Sequence, residues 1–155
     1  MDNGTGSNVL PRSIGSAEHV DQTLLAERQR MVLIRFGRGS DPSTVAADVI
    51  LNEIAHELWL YCVIYLVDID EVPHFTGVFE LYDPCTIMCF YRNHTVPIDL
   101  GHGPDVKLTW PFDDGQILVE AIENACQRRS NSHASARRTA MLVALQGLFF
   151  NGAPL

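Results

Sequence analysis

Apolar residues along the chain fall into short runs, separated by polar segments that contain turn residues. Three of these runs are rich in β-branched and aromatic residues, a composition typical of buried strands. They are Met31–Phe36, Cys62–Val67 and Thr86–Tyr91. After the third run, apolar residues alternate from Val96 to Leu100, which predicts a half-exposed fourth strand in a hairpin with the third.

Four segments between and around the strands have helical periodicity. They are Ala17–Gln29, a segment from Asp41 to Leu58, Glu71–Tyr82, and a last segment that begins at Asp113 or Asp114. In the second helix, Asp41 is expected to be the N-cap and Pro42 suits the first helical position. The apolar face of that helix is predicted to contain Val45, Val49, Ile50, Ile54 and Leu58.

This order of elements predicts an α/β protein with a thioredoxin-like fold: a central mixed four-stranded sheet flanked by helices. Its first half is expected to be parallel, because the strands are joined through helices. The second half is expected to be antiparallel, because the short Asn93-His94 turn joins two strands directly. A further helix is predicted in the C-terminal tail.

Thioredoxin-like enzymes keep two cysteines at the start of the second helix, where this chain has Asp41 and Thr44. Disulfide exchange needs a low-pKa thiol at that helix end and a second thiol three residues later. Asp41 is instead explained as a helix cap. Cys85 follows Pro84 at the facing turn and could form a mixed disulfide, but a buried cysteine without a positive neighbour is usually inert.

The four cysteines, Cys62, Cys85, Cys89 and Cys126, lack the paired spacing of a zinc site. In one strand, Cys85 and Cys89 would have Cα atoms ~13 Å apart, too far for a disulfide. The thiols are therefore expected to be reduced, as in an intracellular protein. Because the histidines are scattered as well, no metal, cofactor or disulfide is predicted.

Charge is unevenly distributed along the chain. Residues 1–126 contain seven basic and 19 acidic residues, whereas the remainder contains four arginines and no acid. Direct RNA binding by so acidic a body is disfavoured unless a local basic patch overrides the net charge. We see neither a signal peptide nor the ~18 apolar residues needed to span a bilayer, so no membrane contact is expected.

The chain is predicted to have three parts: a disordered N-terminus at residues 1–9, the thioredoxin-like domain at 10–129, and a tail at 130–155. The tail combines an arginine-containing linker with an apolar helix at Ala140–Phe150. Such a helix would expose a large apolar patch if it were free in water. Two alternatives remain: the helix packs on its own domain, or it docks into a groove of a partner.

Several runs of this sequence resemble the DIM family, the small thioredoxin-like subunit of the U5 small nuclear ribonucleoprotein. The resemblance is nearly gap-free from about Leu10 to Arg129, and its most specific run is Glu80–Thr86. The other matching segments are Val20–Gln22, Val32–Gly37, Asp41-Pro42, Val63–Ile69, Glu71–Pro73, Phe75, Phe90, Arg92-Asn93, Ile98–Gly101, Gly103 and Trp110.

The resemblance implies a nuclear, non-enzymatic protein required for pre-mRNA splicing in the U4/U6.U5 tri-snRNP and the precatalytic spliceosome. Its implied partners are the large U5 scaffold protein and a helical-repeat bridging protein, with RNA contacted indirectly. Family members commonly have a cysteine where this chain has Thr44, which could pair with the one at Cys85; that bridge is impossible here. The sequence also departs from the family pattern after Arg129.

Two other functions remain open: a thiol oxidoreductase that uses Cys85 alone, and a thioredoxin-like adaptor in another complex. For a binding protein, the candidate contact residues are Asp41 and Pro42 with Pro84 and Cys85, because those chain ends converge in this fold. Trp110 is a further candidate, since an indole near a loop belongs either to the core or to a contact surface.

Overall fold

The computed structural model describes residues 9–109 and 114–129. In chain order its elements are β1 (Arg12–Ser13), α1 (Ala17–Ala26), β2 (Met31–Gly37), α2 (Pro42–Leu58), β3 (Cys62–Asp68), α3 (His74–Val78), β4 (Cys85–Tyr91), β5 (His94–Val96), β6 (Ile98–Asp99), β7 (Pro104–Asp105), β8 (Leu108–Thr109) and α4 (residues 115–129). Three predictions concern residues that lie wholly or almost wholly outside the described ranges. They are the N-terminal disorder, the role of Trp110 and the tail helix.

A mixed sheet forms the centre of the domain, in the strand order β1-β3-β2-β4-β5, with β8 also paired to β4. β2 and β3 are parallel, and β2 and β4 are antiparallel, so the predicted mixed α/β arrangement is confirmed. The sheet has six strands rather than the predicted four. The two additional strands, β1 and β8, are two residues long, too short to produce a recognisable alternation of apolar residues.

The predicted fourth strand is divided at Pro97. β5 pairs with β4, but β6 leaves that sheet and pairs with β7 in a separate two-stranded sheet. Proline has no N–H to donate to a ladder, which explains the interruption. The hairpin between the third and fourth strands is present at Tyr91↔His94, as predicted.

The two faces of the sheet bury separate apolar clusters. All seven residues of β2 are buried, and alternate side chains point to opposite faces. Leu33 belongs to the cluster that also contains Leu51 of α2 and Ile122 of α4. Ile34 belongs to the other cluster, which contains residues of α1 and α3. This double burial explains why β2 has a continuous apolar sequence.

Two helices are shorter than predicted. α1 ends at Ala26, because the Glu27 carboxylate accepts hydrogen bonds from the N–H groups of Gln29 and Arg30, both at 3.1 Å. α3 has five residues instead of the twelve predicted for Glu71–Tyr82. Pro73 caps its start, and soon after its end Glu80 has a φ of 54°, outside the range of a right-handed helix.

The buried face of α2 also differs from the prediction. Val45 and Val49 are each 53% exposed, whereas Thr44, Ala47 and Leu51 are buried. Val45 and Val49 therefore do not belong to the buried face, whereas Ile50 is partly buried and Ile54 and Leu58 are buried as expected. In the other helices, three apolar residues that helical periodicity would place on the inner face are exposed: Leu25, Val78 and Ile117. Within the described ranges, no helix is long and apolar enough to cross a bilayer.

Candidate protein-binding site

Three chain segments meet at the carbonyl group of Pro84. The backbone N–H of Arg38, just after β2, donates to this oxygen at 3.0 Å, and the Thr44 hydroxyl of α2 donates to it at 3.2 Å. In the neighbouring pair of strands, Gly37 lies opposite Cys85. The structure thus brings the start of α2 next to the start of β4, and with them the segments Asp41-Pro42 and Pro84-Cys85.

Asp41 acts as the cap of α2. Its carboxylate accepts a hydrogen bond from the Ser43 N–H at 2.8 Å, and Pro42 occupies the first turn without losing a helical hydrogen bond. The Asp41 N–H itself donates to the Arg38 carbonyl at 3.0 Å, which closes the turn between β2 and α2. The N-cap predicted at this position is confirmed.

The Cys85 thiol is buried in this junction and poorly suited to act as a nucleophile. Burial raises its pKa from the ordinary value of 9.0 to about 11, despite the opposing effects of the Arg35 charge and a hydrogen bond with Thr44. The expectation that no positive group lies near Cys85 is therefore wrong. Arg35, however, forms a two-point ion pair with Asp48, and the thiol remains protonated near neutral pH.

The other three cysteines belong to a different part of the sheet. All four cysteines of the chain are described and have free thiols. Cys62 lies opposite Met31 at the start of β3 and β2, away from Cys85. Cys126 of α4 is half-buried, with its Sγ 3.3 Å from the Met31 Sδ, and burial raises its thiol pKa to about 11. Burial also raises the pKa values of Cys62 and Cys89.

Next to this junction in the chain are two exposed apolar residues that the sequence analysis did not select as contact residues. Tyr82 is 82% exposed, and Val45 is 53% exposed on the first turn of α2. Pro42 and Pro84 are exposed as well. We call these four residues, Pro42, Val45, Tyr82 and Pro84, the docking face. The sequence feature that could have pointed to Tyr82 is its position within Glu80–Thr86, the run that is most specific to the family resemblance.

Within residues 9–109 and 114–129, no group of three or more His, Cys, Asp or Glu side chains is arranged to hold a metal ion. Asp41, which precedes Pro42 of the docking face, already uses its carboxylate to cap α2.

The fold and this junction together define a thioredoxin-like protein with a capping aspartate and a threonine in place of the thiol pair. Solved structures with this fold include a thioredoxin from Trypanosoma brucei brucei, with a TM-score of 0.60 and 10% identity over 77% of this chain and 94% of that chain. Chloroplastic thioredoxin z has a TM-score of 0.59 and 17% identity over 75% of this chain and 94% of its own. At these identities the likeness concerns the fold alone.

The chain belongs to the DIM1 family, whose description is Mitosis protein DIM1 and which matches residues 10–142. The match extends past Arg129, where the sequence analysis expected a departure. The chain is 50% identical to Mitosis protein dim1 of Schizosaccharomyces pombe and 40% identical to Spliceosomal protein DIB1 of Saccharomyces cerevisiae, each over 76% of this chain and 82% of the relative. Identity to human Thioredoxin-like protein 4B is 31%, over 76% of this chain and 78% of that protein.

Proposed function

We propose that this protein is a nuclear, non-catalytic component of the U5 snRNP and of the U4/U6.U5 tri-snRNP. In this role it is required for pre-mRNA splicing and acts through protein–protein assembly in the precatalytic spliceosome. The proposal is supported by family membership and by relatives that are named as spliceosomal proteins at 40% and 41% identity.

The observation that carries the non-catalytic role is the hydrogen bond between Thr44 and the Pro84 carbonyl. In a thiol enzyme of this fold, a reactive cysteine at the helix start attacks a substrate disulfide and a second cysteine resolves the product. Here Asp41 caps the helix and Thr44 ties it to the facing turn. Cys85, with a thiol pKa of about 11, has little thiolate available near neutral pH.

We assign partner binding to the docking face together with Asp41, and keep Trp110 as a candidate contact residue. Cys85, the other candidate from the sequence, is 1% exposed and supports this face from beneath rather than contacting a partner. Tyrosine is enriched among the residues that dominate binding energy, and Tyr82 combines 82% exposure with a position two residues before the exposed Pro84. The partners proposed for this protein are the large U5 scaffold protein and the helical-repeat bridging protein. RNA is then reached through the particle.

Affinity purification of the tagged full-length chain from nuclear extract tests this function. We expect U5 RNA and the large U5 scaffold protein to be recovered with the wild-type chain. Recovery of neither would contradict the proposal, and recovery of a different complex would favour the adaptor alternative.

The single-cysteine oxidoreductase alternative has its own test. Insulin reduction is measured for the wild-type chain and for Cys85→Ser, with a thioredoxin as the positive control. We expect both to be at the background rate. Activity that is present in the wild type and lost on substitution would establish the thiol function instead.

A further inference from the structure

The end of the sheet opposite the docking face is lined with arginines from three chain segments. Arg28 precedes β2, Arg92 follows β4, and Arg128 and Arg129 lie at the end of α4. The Arg92 guanidinium lies 5.1 Å from the centroid of the Tyr91 ring, and that of Arg129 lies 5.9 Å from it. The Arg92 Nε also donates to the Arg28 carbonyl at 3.3 Å. Two guanidinium groups thus lie over one aromatic ring, and Arg28 and Arg128 belong to chain segments that adjoin them.

These four arginines differ from those that form salt bridges. Arg30, Arg35 and Arg38 each have a carboxylate partner. In the described part of the chain, Arg28, Arg92, Arg128 and Arg129 form no such ion pair. The charge of Arg128 does act on the Asp99 carboxylate, whose pKa it helps to lower. In a protein with a net charge of −8, four arginines beside one such carboxylate still produce a local positive potential that the net charge conceals.

An open cleft of about 630 Å³ adjoins this group. It is lined by Tyr91, Arg128 and Arg129 and by the apolar rings of Pro97 and Pro104. Its volume lies within the range of about 300–1,000 Å³ that is typical of small-ligand sites. The combination of guanidinium groups, the Tyr91 ring and the apolar rings of the two prolines suits a ligand with both phosphates and ring-shaped parts.

We propose that this surface, which we call the arginine cleft (Arg28, Tyr91, Arg92, Arg128 and Arg129), binds the sugar–phosphate backbone of single-stranded RNA. The guanidinium groups contact the phosphates, while the rings of Pro97 and Pro104 pack against sugars or bases. This inference goes beyond the proposed function, in which RNA is contacted only through protein partners.

Asp99 also lines the cleft and favours RNA over an acidic peptide as the ligand. Its Oδ1 accepts hydrogen bonds from the N–H groups of Gly101 and Gly103 at 2.8 and 3.1 Å, and these lower the pKa of the carboxyl group. An ionised carboxylate repels carboxylates and phosphates alike, and the side chains of an acidic peptide offer it no hydrogen-bond donor. It can, however, accept a hydrogen bond from a ribose 2′-hydroxyl or a base amino group, which RNA provides beside its phosphates.

Fluorescence anisotropy with the purified full-length chain and a labelled short single-stranded RNA of mixed sequence tests the inference. The substitutions Arg92→Gln and Arg129→Gln together are expected to weaken RNA binding about tenfold, because two charge-assisted contacts are lost. The slope of log affinity against log salt should become shallower by about 0.7 for each phosphate contact removed. With single-stranded DNA of the same sequence, Asp99→Asn should bind at least as strongly as the wild type. The preference of this variant for RNA over DNA should therefore be smaller.

The matched control is Arg38→Gln with Lys107→Gln, which removes two positive charges away from the cleft. We expect this variant to bind RNA nearly as well as the wild type. A second variant, Arg137→Gln with Arg138→Gln, tests the tail arginines. Equal losses in the control, or loss of binding in the tail variant alone, would overturn the inference. Thermal unfolding of each variant establishes that it is folded; if Arg129→Gln is not, the exposed pair Arg28→Gln and Arg128→Gln replaces it.

Competition with poly-glutamate distinguishes RNA from an acidic peptide. We expect RNA to remain bound when the concentration of glutamate carboxylates equals that of RNA phosphates. Displacement of the RNA at that concentration would show a general site for acidic peptides and overturn the RNA assignment. Because this assay uses purified protein, its outcome is independent of the nuclear purification. A chain that fails to bind RNA but recovers the U5 scaffold protein refutes only the arginine cleft.

Discussion

Arg35 and Asp48 form a two-point ion pair beneath the docking face. The Nε–Oδ1 and Nη2–Oδ2 distances are both 2.8 Å, and the side chains are 6% and 28% exposed, respectively. The remaining terminal nitrogen of Arg35 donates to the Val67 carbonyl at 3.0 Å. One guanidinium group thereby joins β2, α2 and β3, and keeps α2 in position at the point where its first turn meets Pro84.

Removal of Asp48 should strongly destabilise the fold. Asp48→Ala leaves a buried guanidinium group without its counter-charge, and we expect the free energy of unfolding to fall by about 2–4 kcal/mol. Urea denaturation measures this change. The control is Arg38→Ala, which breaks the exposed ion pair with Asp70 and should cost less than about 1 kcal/mol. Equal effects of the two substitutions would show that the Arg35–Asp48 pair does not stabilise the packing of α2 against β2 and β3.

Gly37 and Thr44 are packed so closely that a larger residue at 37 is excluded. A Cβ atom at residue 37 would lie 2.6 Å from the Thr44 Oγ1 and 2.9 Å from its Cγ2. Gly37→Ala should therefore lower the free energy of unfolding by about 1–3 kcal/mol through overpacking. Thr44→Ala in the same chain removes both clashing atoms, so the double variant should be more stable than the sum of the two single effects predicts. Simple additivity in urea denaturation would contradict this contact.

Stability should fall at alkaline pH because of Cys85. Its thiol pKa is about 11 in the folded protein and 9.0 ordinarily, so above pH 9 the unfolded chain loses a proton that the folded chain keeps. The stabilisation is complete below pH 9 and is lost as the pH rises through 11. Cys85→Ala should reduce the slope of unfolding free energy against pH in this window by up to about 1.4 kcal/mol per pH unit.

A direct measure of thiol reactivity complements that titration. We expect the alkylation rate of native Cys85, followed by mass spectrometry of the modified peptide, to be very low near neutral pH and to keep rising until about pH 11, instead of levelling off near pH 9 as for an ordinary thiol. A reactive thiolate at neutral pH would be incompatible with the buried, protonated thiol and would reopen the oxidoreductase alternative.

Tyr82 should contribute to partner binding without contributing to stability. Because its side chain is 82% exposed, Tyr82→Ala should change the free energy of unfolding by no more than about 0.5 kcal/mol. An anchor residue at an interface is worth about 2 kcal/mol or more, so recovery of the U5 scaffold protein should fall at least about tenfold. Leu25→Ala, which truncates a 60% exposed residue of α1, is the control and should leave recovery unchanged.

Much of the site could be predicted from local sequence. The Asp41-Pro42 pair is sufficient to predict the start of α2, and Cys85 follows a proline at the start of a recognisable buried strand. The exposure of Tyr82 and Val45 could not be predicted in the same way. Apolar periodicity in α2 fits two neighbouring faces, and the one that is buried depends on how the helix lies on the sheet.

By itself, the sequence determined the continuous apolar strands, the helix cap at Asp41 and the threonine where a second thiol would stand. These are local properties, set by residue type and spacing. Only the tertiary structure decided that Arg35 reaches Asp48 and that Arg92 and Arg129 share the Tyr91 ring. Such contacts join residues far apart in the chain, and they form only once strand order and register have brought the segments together.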